Sequence, residues 1–176
     1  MNAVAVLGAN GAIGGIAKRY FADIHPDMTL IVPSRAELDL SLGHELGGIS
    51  VGSLDVIVLS VGSYSGLKGY VGSSDATYSD SFYANQKRFC EKYLKTDGLL
   101  INISSAALEN GNNLSEDSPY FAYGKEKQAM ETALSGISGI YTVHLRPTNI
   151  LSPFENFDKS KHVFASMLRT ISVAEG

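Results

Sequence analysis

Short, almost continuous apolar runs recur along the chain, and they lie at residues 3–7, 28–32, 54–59, 99–103 and 140–145. The runs contain β-branched residues and lack the strict apolar–polar alternation of a strand with one solvated face. The pattern therefore predicts five strands that are buried on both faces. A sixth, very short strand is expected at residues 38–40.

Polar and apolar positions between these runs predict helices. The expected helices span residues 13–24, 78–94 and 119–134, with Pro119 in a first turn after Ser118. One further helix is expected at residues 162–170. Strands that alternate with helices indicate right-handed βαβ crossovers. The expected fold is α/β, a three-layer doubly wound parallel sheet of about six strands, in one domain over residues 1–176 with no separate substrate domain.

Two polar stretches follow predicted strands and are expected to reach the carboxyl edge of the sheet. Residues 61–77 are rich in Gly and Ser, and residues 108–118 come after the 99–103 strand. Open α/β sheets bind their ligands at this edge. We therefore expect the functional site to lie there.

Composition and charge limit the classes of function that the chain could have. A length of 176 residues fits one core, and a net charge of -4 without a Lys/Arg run argues against binding to nucleic acid or an acidic membrane. Cys90 is the only cysteine, which excludes an internal disulfide and favours a reducing, cytoplasmic location. The four histidines lack the close spacing of metal ligands, so no metal is expected.

A glycine-rich turn links the first predicted strand to the first predicted helix. Gly8 permits a tight turn, Gly11 allows close approach of a pyrophosphate, and Gly14 allows the helix to pack closely on the strand. Amides at the start of the helix would bind the anion. The sequence predicts a dinucleotide site formed by Gly8, Asn10, Gly11, Ala12, Ile13 and Gly14. A plain strand-to-helix turn is the alternative.

The end of the second predicted strand bears on the choice of cofactor. NAD sites usually carry a carboxylate there, whereas this chain has Ser34 and Arg35. An arginine pairs well with a 2′-phosphate, so NADP is favoured over NAD. Two alternatives stay open: Arg35 is a solvated loop residue, or Glu37 or Asp39 binds the ribose of NAD.

A tyrosine followed four residues later by a lysine places both side chains on one helix face. Topology separates the three such pairs in the chain, because only Tyr123 begins a helix that follows the 99–103 strand and returns from the ligand edge. The pairs are Tyr64 with Lys68, Tyr83 with Lys87, and Tyr123 with Lys127.

Several motifs in this order resemble the short-chain dehydrogenase/reductase superfamily. They are the glycine turn, the strand end Ile103-Ser104-Ser105-Ala106, and the Tyr123–Lys127 pair. Arg146-Pro147 after the last strand resembles the nucleotide-sugar epimerase and reductase branch. The resemblance covers residues 1–150 and implies a Rossmann fold and an NADP(H)-dependent oxidoreductase acting on a small polar carbonyl or alcohol.

The resemblance also implies roles for individual residues. Tyr123 would exchange a proton with the substrate, Ser105 would hydrogen-bond the substrate oxygen, and Lys127 would bind the nicotinamide ribose and lower the tyrosine pKa. Asn85 is similar to an asparagine that holds a proton-relay water, with an ordinary helix residue as the equal alternative. Asp39 is similar to an acid that contacts adenine.

The chain departs from the family pattern in ways that leave the substrate pocket undefined. Ala107-Leu108 stands where the sugar branch has Tyr-Gly, and the chain ends soon after Arg146-Pro147. A pocket built from the loops or completed by a second subunit is expected, so a homodimer is one hypothesis. The alternatives in function are a nucleotide-sugar epimerase or dehydratase and a non-enzymatic dinucleotide sensor.

Overall fold

The computed structural model describes residues 2–61, 76–106, 108, 119–148 and 150, and only the backbone at positions 41, 76–81, 119, 120 and 122. Strands and helices alternate along the chain. In order they are β1 (Ala3–Leu7), α1 (Ala12–Ile24), β2 (Thr29–Ile31), a 3-10 helix (Leu40–Leu42), β3 (Leu54–Leu59), α2 (Ala76–Tyr93), β4 (Leu94–Ile103), α3 (Pro119–Ser135) and β5 (Tyr141–Leu145).

The strands form one parallel sheet in the order β2-β1-β3-β4-β5. The chain moves outward from β1 to β2 and then crosses back to place β3 on the other side of β1. This reversal creates a crevice between the carboxyl ends of β1 and β3, which is where doubly wound sheets bind ligands.

Helices cover both faces of the sheet and make three layers. The larger core packs α2, α3 and the 3-10 helix against one face, and Leu59, Leu100, Met130 and Leu134 are at most 1% exposed there. On the other face α1 packs Ala17 and Phe21 against a cluster that includes Val4, Val6 and Val58. The predicted α/β, doubly wound parallel architecture is confirmed.

The predicted boundaries of β1 and β3 agree with the structure, and those of the three helices agree within two residues. The predicted strands at 38–40 and 99–103 need correction. Residues 38–40 form no strand: Leu38 is buried in the irregular segment before the 3-10 helix and Leu40 is buried as its first residue, so the described part of the sheet has five strands. β4 begins at Leu94, before the predicted start, and its pairing with β3 shifts register before Leu99.

β2 and β5 were expected to be buried on both faces, and this is wrong for the described residues, since neither strand contains a fully buried residue. Tyr141, Val143 and Leu145 are 65%, 43% and 47% exposed and share one face of the strand. Within the described part of the chain, β5 pairs only with β4 and α1 packs over the opposite half of the sheet. The predicted helix at residues 162–170 lies outside the described residues.

Candidate active site

The glycine turn lies at the switch point of the sheet, where β1 ends beside β3. Gly8 has a φ of +80°, and a Cβ at this position would lie 2.2 Å from the carbonyl oxygen of Ser60. A Cβ at Gly14 would lie 2.1 Å from the carbonyl oxygen of Gly8. Only glycine fits either position, because the obstructing atoms belong to the backbone.

The start of α1 suits an anion. Gly11 is the N-cap residue and has no side chain with which to cap the helix, and no acidic residue lies in the first turn. Among the described residues, a Cβ at Gly11 would meet only the Gly8 carbonyl oxygen, at 3.3 Å. The partial positive charge of a helix N-terminus attracts phosphate. The turn that contains Asn10, Ala12 and Ile13 therefore fits a pyrophosphate.

The residues after β2 form a compact turn. The backbone N–H of Ser34 donates to Glu37 Oε2 at 2.7 Å, and the N–H of Glu37 donates to Ser34 Oγ at 3.3 Å. The first of these bonds lowers the pKa of Glu37, with help from the Ser34 hydroxyl. Arg35 is 80% exposed, and its Nε donates to Asp39 Oδ2 at 3.0 Å. Ser34, Arg35 and Asp39 thus share one turn beyond the carboxyl end of β2.

Ser105 and Tyr123 are brought together at the carboxyl edge of the sheet. Ser105 follows the end of β4, Tyr123 lies in the first turns of α3, and their side chains are hydrogen-bonded. Burial raises the pKa of the Tyr123 phenol, and the hydrogen bond with Ser105 opposes that shift. The lowering of this pKa by Lys127 stays a prediction.

Lys127 lies one helical turn after Tyr123 and completes the cluster. Its ammonium is 5.6 Å from the centroid of the Tyr123 ring, and the residue is only 6% exposed. Burial lowers the pKa of Lys127, while the carboxylates of Glu126 and Glu131 raise it. A buried ammonium beside a phenol is a suitable pair for proton transfer at a ligand edge.

The Tyr83–Lys87 pair has a different environment. Tyr83 is 6% exposed inside the larger core, and among the described residues its hydroxyl has no hydrogen-bond partner. Lys87 is paired with Glu91 at 3.7 Å on the surface of α2. The pair therefore does not form a site. The Tyr64–Lys68 pair lies outside the described residues.

Asn85 lies on α2, and its amide Nδ2 donates to the carbonyl oxygen of Leu40 at 2.7 Å. This bond ties α2 to the 3-10 helix. The structure gives Asn85 a structural contact, and its proposed role in holding a relay water stays a prediction.

Sequence reasoning did not single out Glu131. This carboxylate binds both ends of the Arg146 guanidinium, with Nε to Oε1 at 2.9 Å and Nη2 to Oε2 at 2.7 Å. The signal available in the sequence was its position four residues after Lys127, which places both on one face of α3. The partner, Arg146, could be found only from the tertiary structure.

Neither a membrane-spanning helix nor a metal-binding cluster is found among the described residues. No helix there has the length and apolar character needed to cross a membrane. No group of three or more His, Cys, Asp or Glu side chains in the same residues could hold a metal ion.

The parallel sheet, its switch point and the glycine turn define a Rossmann-type doubly wound α/β domain. Solved structures with this fold include short-chain dehydrogenase/reductases, so the likeness indicated by the motifs is confirmed at the level of the fold. One is a short-chain dehydrogenase/reductase of the glucose/ribitol dehydrogenase type from Brucella melitensis, which is 21% identical with a TM-score of 0.52 over 96% of this chain and 77% of that one.

Sugar-nucleotide enzymes superpose more closely. A GDP-D-glycero-L-gluco-heptose synthase from Campylobacter jejuni, solved in the presence of NADPH, has a TM-score of 0.73 at 18% identity over 99% of this chain and 56% of that one. A GDP-L-fucose synthetase from Naegleria fowleri has a TM-score of 0.71 at 14% identity over 98% of this chain and 58% of that one. The chain therefore spans little more than half the length of these enzymes. No protein-family model and no curated protein matches the sequence.

Proposed function

We propose that this chain forms the cofactor-binding and acid–base half of an NADP(H)-dependent oxidoreductase that reduces a carbonyl group. The observation that carries the proposal is the cluster of Ser105, Tyr123 and Lys127 at the same sheet edge as the glycine turn. The members of this cluster supply a hydrogen bond, a proton and a cation. When bound, a nicotinamide cofactor would supply the hydride.

Each residue of the cluster has a separate role in the proposed reaction. Ser105 orients the substrate oxygen and hydrogen-bonds the phenol, and Tyr123 gives its proton to that oxygen as negative charge develops there. The ammonium of Lys127, 5.6 Å from the centroid of the ring, supplies a positive charge that favours the phenolate left behind. It also binds the ribose next to the nicotinamide.

The Tyr123 phenol is a suitable acid for carbonyl reduction. Its usual pKa lies well above neutral and burial raises it further, so the phenol carries its proton at neutral pH before the reaction begins. A proton donor is what carbonyl reduction requires, whereas alcohol oxidation requires a base. In the oxidation direction, the same phenol would first have to be ionised by the charge of Lys127.

NADP is the cofactor that the residues favour. Arg35 is largely exposed beyond β2, where the adenosine end of a dinucleotide would lie, and its two Nη groups suit a phosphate. Similar structures support the choice: the heptose synthase was solved with NADPH and a GDP-fucose synthetase with NADP. Because these enzymes act on GDP-sugars, we propose a sugar nucleotide as the substrate class.

A fluorescence titration with NADPH and NADH tests the cofactor assignment. Arg35→Ala should weaken NADPH binding about tenfold or more and leave NADH binding unchanged, since a charge-assisted bidentate contact contributes about 1.5–3 kcal/mol. Arg19→Ala is a matched control, because Arg19 makes the same i,i+4 contact from Nε to Asp23 on α1. Equal loss of NADPH affinity in both variants, or in neither, would refute the role of Arg35.

A further inference from the structure

Arg146 and Glu131 form a two-pronged ion pair between the end of β5 and α3. Glu131 is 7% exposed, and both of its oxygens accept from the guanidinium. The hydrogen bonds from Arg146 lower the pKa of Glu131, so the carboxylate stays charged at neutral pH. A bidentate contact fixes the angle of the two groups as well as their distance.

The position of Glu131 on α3 connects this ion pair to the proposed acid–base residues. Tyr123, Lys127 and Glu131 are spaced four residues apart, so they follow one another along one face of the helix. The ion pair at Glu131 therefore adds a fixed point to the helix face that carries the phenol and the ammonium, beside the core packing of Met130 and Leu134.

The backbone around Arg146 holds the other half of the cluster. The N–H of Ser104 donates to the carbonyl oxygen of Leu145 at 2.7 Å, and the N–H of Ala106 donates to that of Pro147 at 3.1 Å. Ser105 lies between these two bonds and Arg146 lies between their acceptors. The segment Leu145–Pro147 therefore contacts the strand end that carries Ser105 and, through the Arg146 side chain, the helix that carries Tyr123 and Lys127.

We propose that Arg146 is a positioning residue that keeps the Ser105 and Tyr123 side chains in hydrogen-bonding position. It does so by clamping Glu131 of α3 to the segment that supports Ser105. The inference deepens the proposed function and rests on it for its consequence in catalysis. It explains why an arginine directly precedes Pro147 at the end of the last strand. Neither Arg146 nor Glu131 is needed to touch the substrate.

Other titratable groups lie near the ion pair. His144 lies on β5 between Asn102 of β4, at 3.0 Å, and Ser135 of α3, at 2.9 Å. Burial lowers the pKa of His144, so it is neutral at neutral pH. Glu126 lies on α3, and its charge raises the pKa of Lys127. Measurements at one neutral pH keep the protonation states of these groups constant.

The direct test observes the Ser105–Tyr123 hydrogen bond by NMR of protein labelled at the tyrosine Cζ carbon. Tyr123→Phe identifies the Tyr123 resonance among the nine tyrosines, and Ser105→Ala gives its position when the bond is absent. Arg146→Gln and Glu131→Gln should each move the resonance toward the Ser105→Ala position. Arg146→Lys keeps the positive charge but cannot form the two-pronged contact with Glu131, so it should move the Tyr123 resonance less.

Controls separate positioning from general destabilisation. Arg19→Gln removes an exposed Arg–Asp pair from α1 and should leave the resonance at its wild-type position. Thermal unfolding of each variant identifies any that fails to fold, and Glu131→Gln replaces Arg146→Gln in that case. A wild-type resonance in a folded Arg146→Gln or Glu131→Gln protein would overturn the proposal, as would a Ser105→Ala spectrum identical to wild type.

Cofactor-dependent turnover provides a second measurement and separates the two proposals. In carbonyl reduction, Arg146→Gln should lower kcat roughly 10- to 100-fold and change KM little, since small misplacements of catalytic groups reduce rates on this scale. A wild-type protein that binds neither NADPH nor NADH would refute the proposed function. The NMR result would then still decide whether Arg146 positions Ser105 and Tyr123.

Discussion

Tyr123 and Tyr83 share a local sequence pattern, a helix with a lysine four residues later, and differ in their surroundings. Tyr123 is partly buried at the carboxyl edge of the sheet. Its phenol is hydrogen-bonded to Ser105, and Lys127 lies beside its ring. Tyr83 lies on α2 and is buried in the larger core, and Lys87 forms a surface ion pair with Glu91. The chemistry of a side chain therefore depends on which end of which strand it reaches.

This contrast provides a matched pair of variants. Tyr123→Phe should lower kcat for carbonyl reduction by at least about 100-fold, the usual contribution of a positioned general acid. NADPH affinity should change little, because the phenol gives its proton only during the reaction. Tyr83→Phe should retain full activity, since it removes a buried hydroxyl that has no partner among the described residues.

The measurement is the loss of NADPH absorbance with a panel of keto-sugar nucleotides. Folding is checked for both variants by circular dichroism. Turnover by Tyr123→Phe within about threefold of wild type would contradict the assignment of Tyr123 as proton donor. Equal losses in both variants would point to a packing effect and contradict it as well.

At the scale of elements, the contact between β1, β3 and α1 depends on glycines that have no room for a side chain. Gly14→Ala would place its Cβ 2.1 Å from the backbone of Gly8, so α1 or the turn must move. We expect the free energy of unfolding to fall by about 2–3 kcal/mol. Denaturant titration measures this loss, and NADPH binding should weaken with it.

Gly47→Ala is the control for this prediction. A Cβ at Gly47 would have no atom within 4 Å, and its backbone lies outside the left-handed region. We expect a change in unfolding free energy within about 0.5 kcal/mol. If Gly14→Ala were as stable as Gly47→Ala, the close packing of α1 on the turn would be wrong.

At the opposite edge of the sheet, Asp55 connects three strands. Its carboxylate on β3 accepts from the N–H of Ala3 on β1, at 2.7 Å, and pairs with Lys95 on β4. The hydrogen bond from Lys95, followed by that from Ala3, lowers the pKa of Asp55 below its usual 3.8. Asp55 therefore holds the strands in register where no ligand is expected.

The lowered pKa predicts how stability depends on pH. The contribution of Asp55 is fully present above the unfolded-state pKa of 3.8 and is lost as pH falls through the lower folded-state value. Wild type should therefore be more stable than Asp55→Asn at neutral pH, and the difference should shrink below pH 3.8. Urea unfolding at several pH values measures this.

Asp23→Asn serves as the comparison, because it removes the carboxylate of an exposed ion pair on α1. Such pairs contribute between about 0 and 1 kcal/mol, so little change in stability is expected. A difference between wild type and Asp55→Asn that stayed constant from neutral to acidic pH would contradict the proposed role of the Asp55 charge.

At the scale of the whole molecule, the described residues include the glycine turn and the cluster of Ser105, Tyr123 and Lys127, while the similar GDP-sugar enzymes are nearly twice as long as this chain. Cofactor binding is therefore the property that this chain should have by itself. A ligand that binds only the folded state raises the free energy of unfolding in proportion to the logarithm of its concentration.

NADPH at about 100 times its dissociation constant should add about 2.7 kcal/mol to the free energy of unfolding. For a chain of this length that corresponds to a rise in Tm of roughly 5–10 °C. Differential scanning fluorimetry measures it, with NADH and the Arg35→Ala variant as comparisons that should give smaller shifts at equal concentration. An unchanged Tm at millimolar NADPH would contradict cofactor binding.

The sequence by itself determined the architecture and the composition of the site. Continuous apolar runs such as 3–7 and 54–59 can be buried on both faces only in a sheet covered by helices, so the parallel α/β fold followed directly. The glycine spacing and the order of Ser105, Tyr123 and Lys127 also indicated the ligand edge, because parallel strands all end there.

Only the tertiary structure decided what depends on contacts between distant residues. Leu38 and Leu40 are apolar and buried, but they precede and begin a 3-10 helix that packs on α2, and hydrophobicity alone does not distinguish this from a strand. Sequence spacing likewise could not pair Arg146 with Glu131, since their contact depends on the angle at which α3 crosses β5. Local patterns determine which elements form, and packing determines which side chains meet.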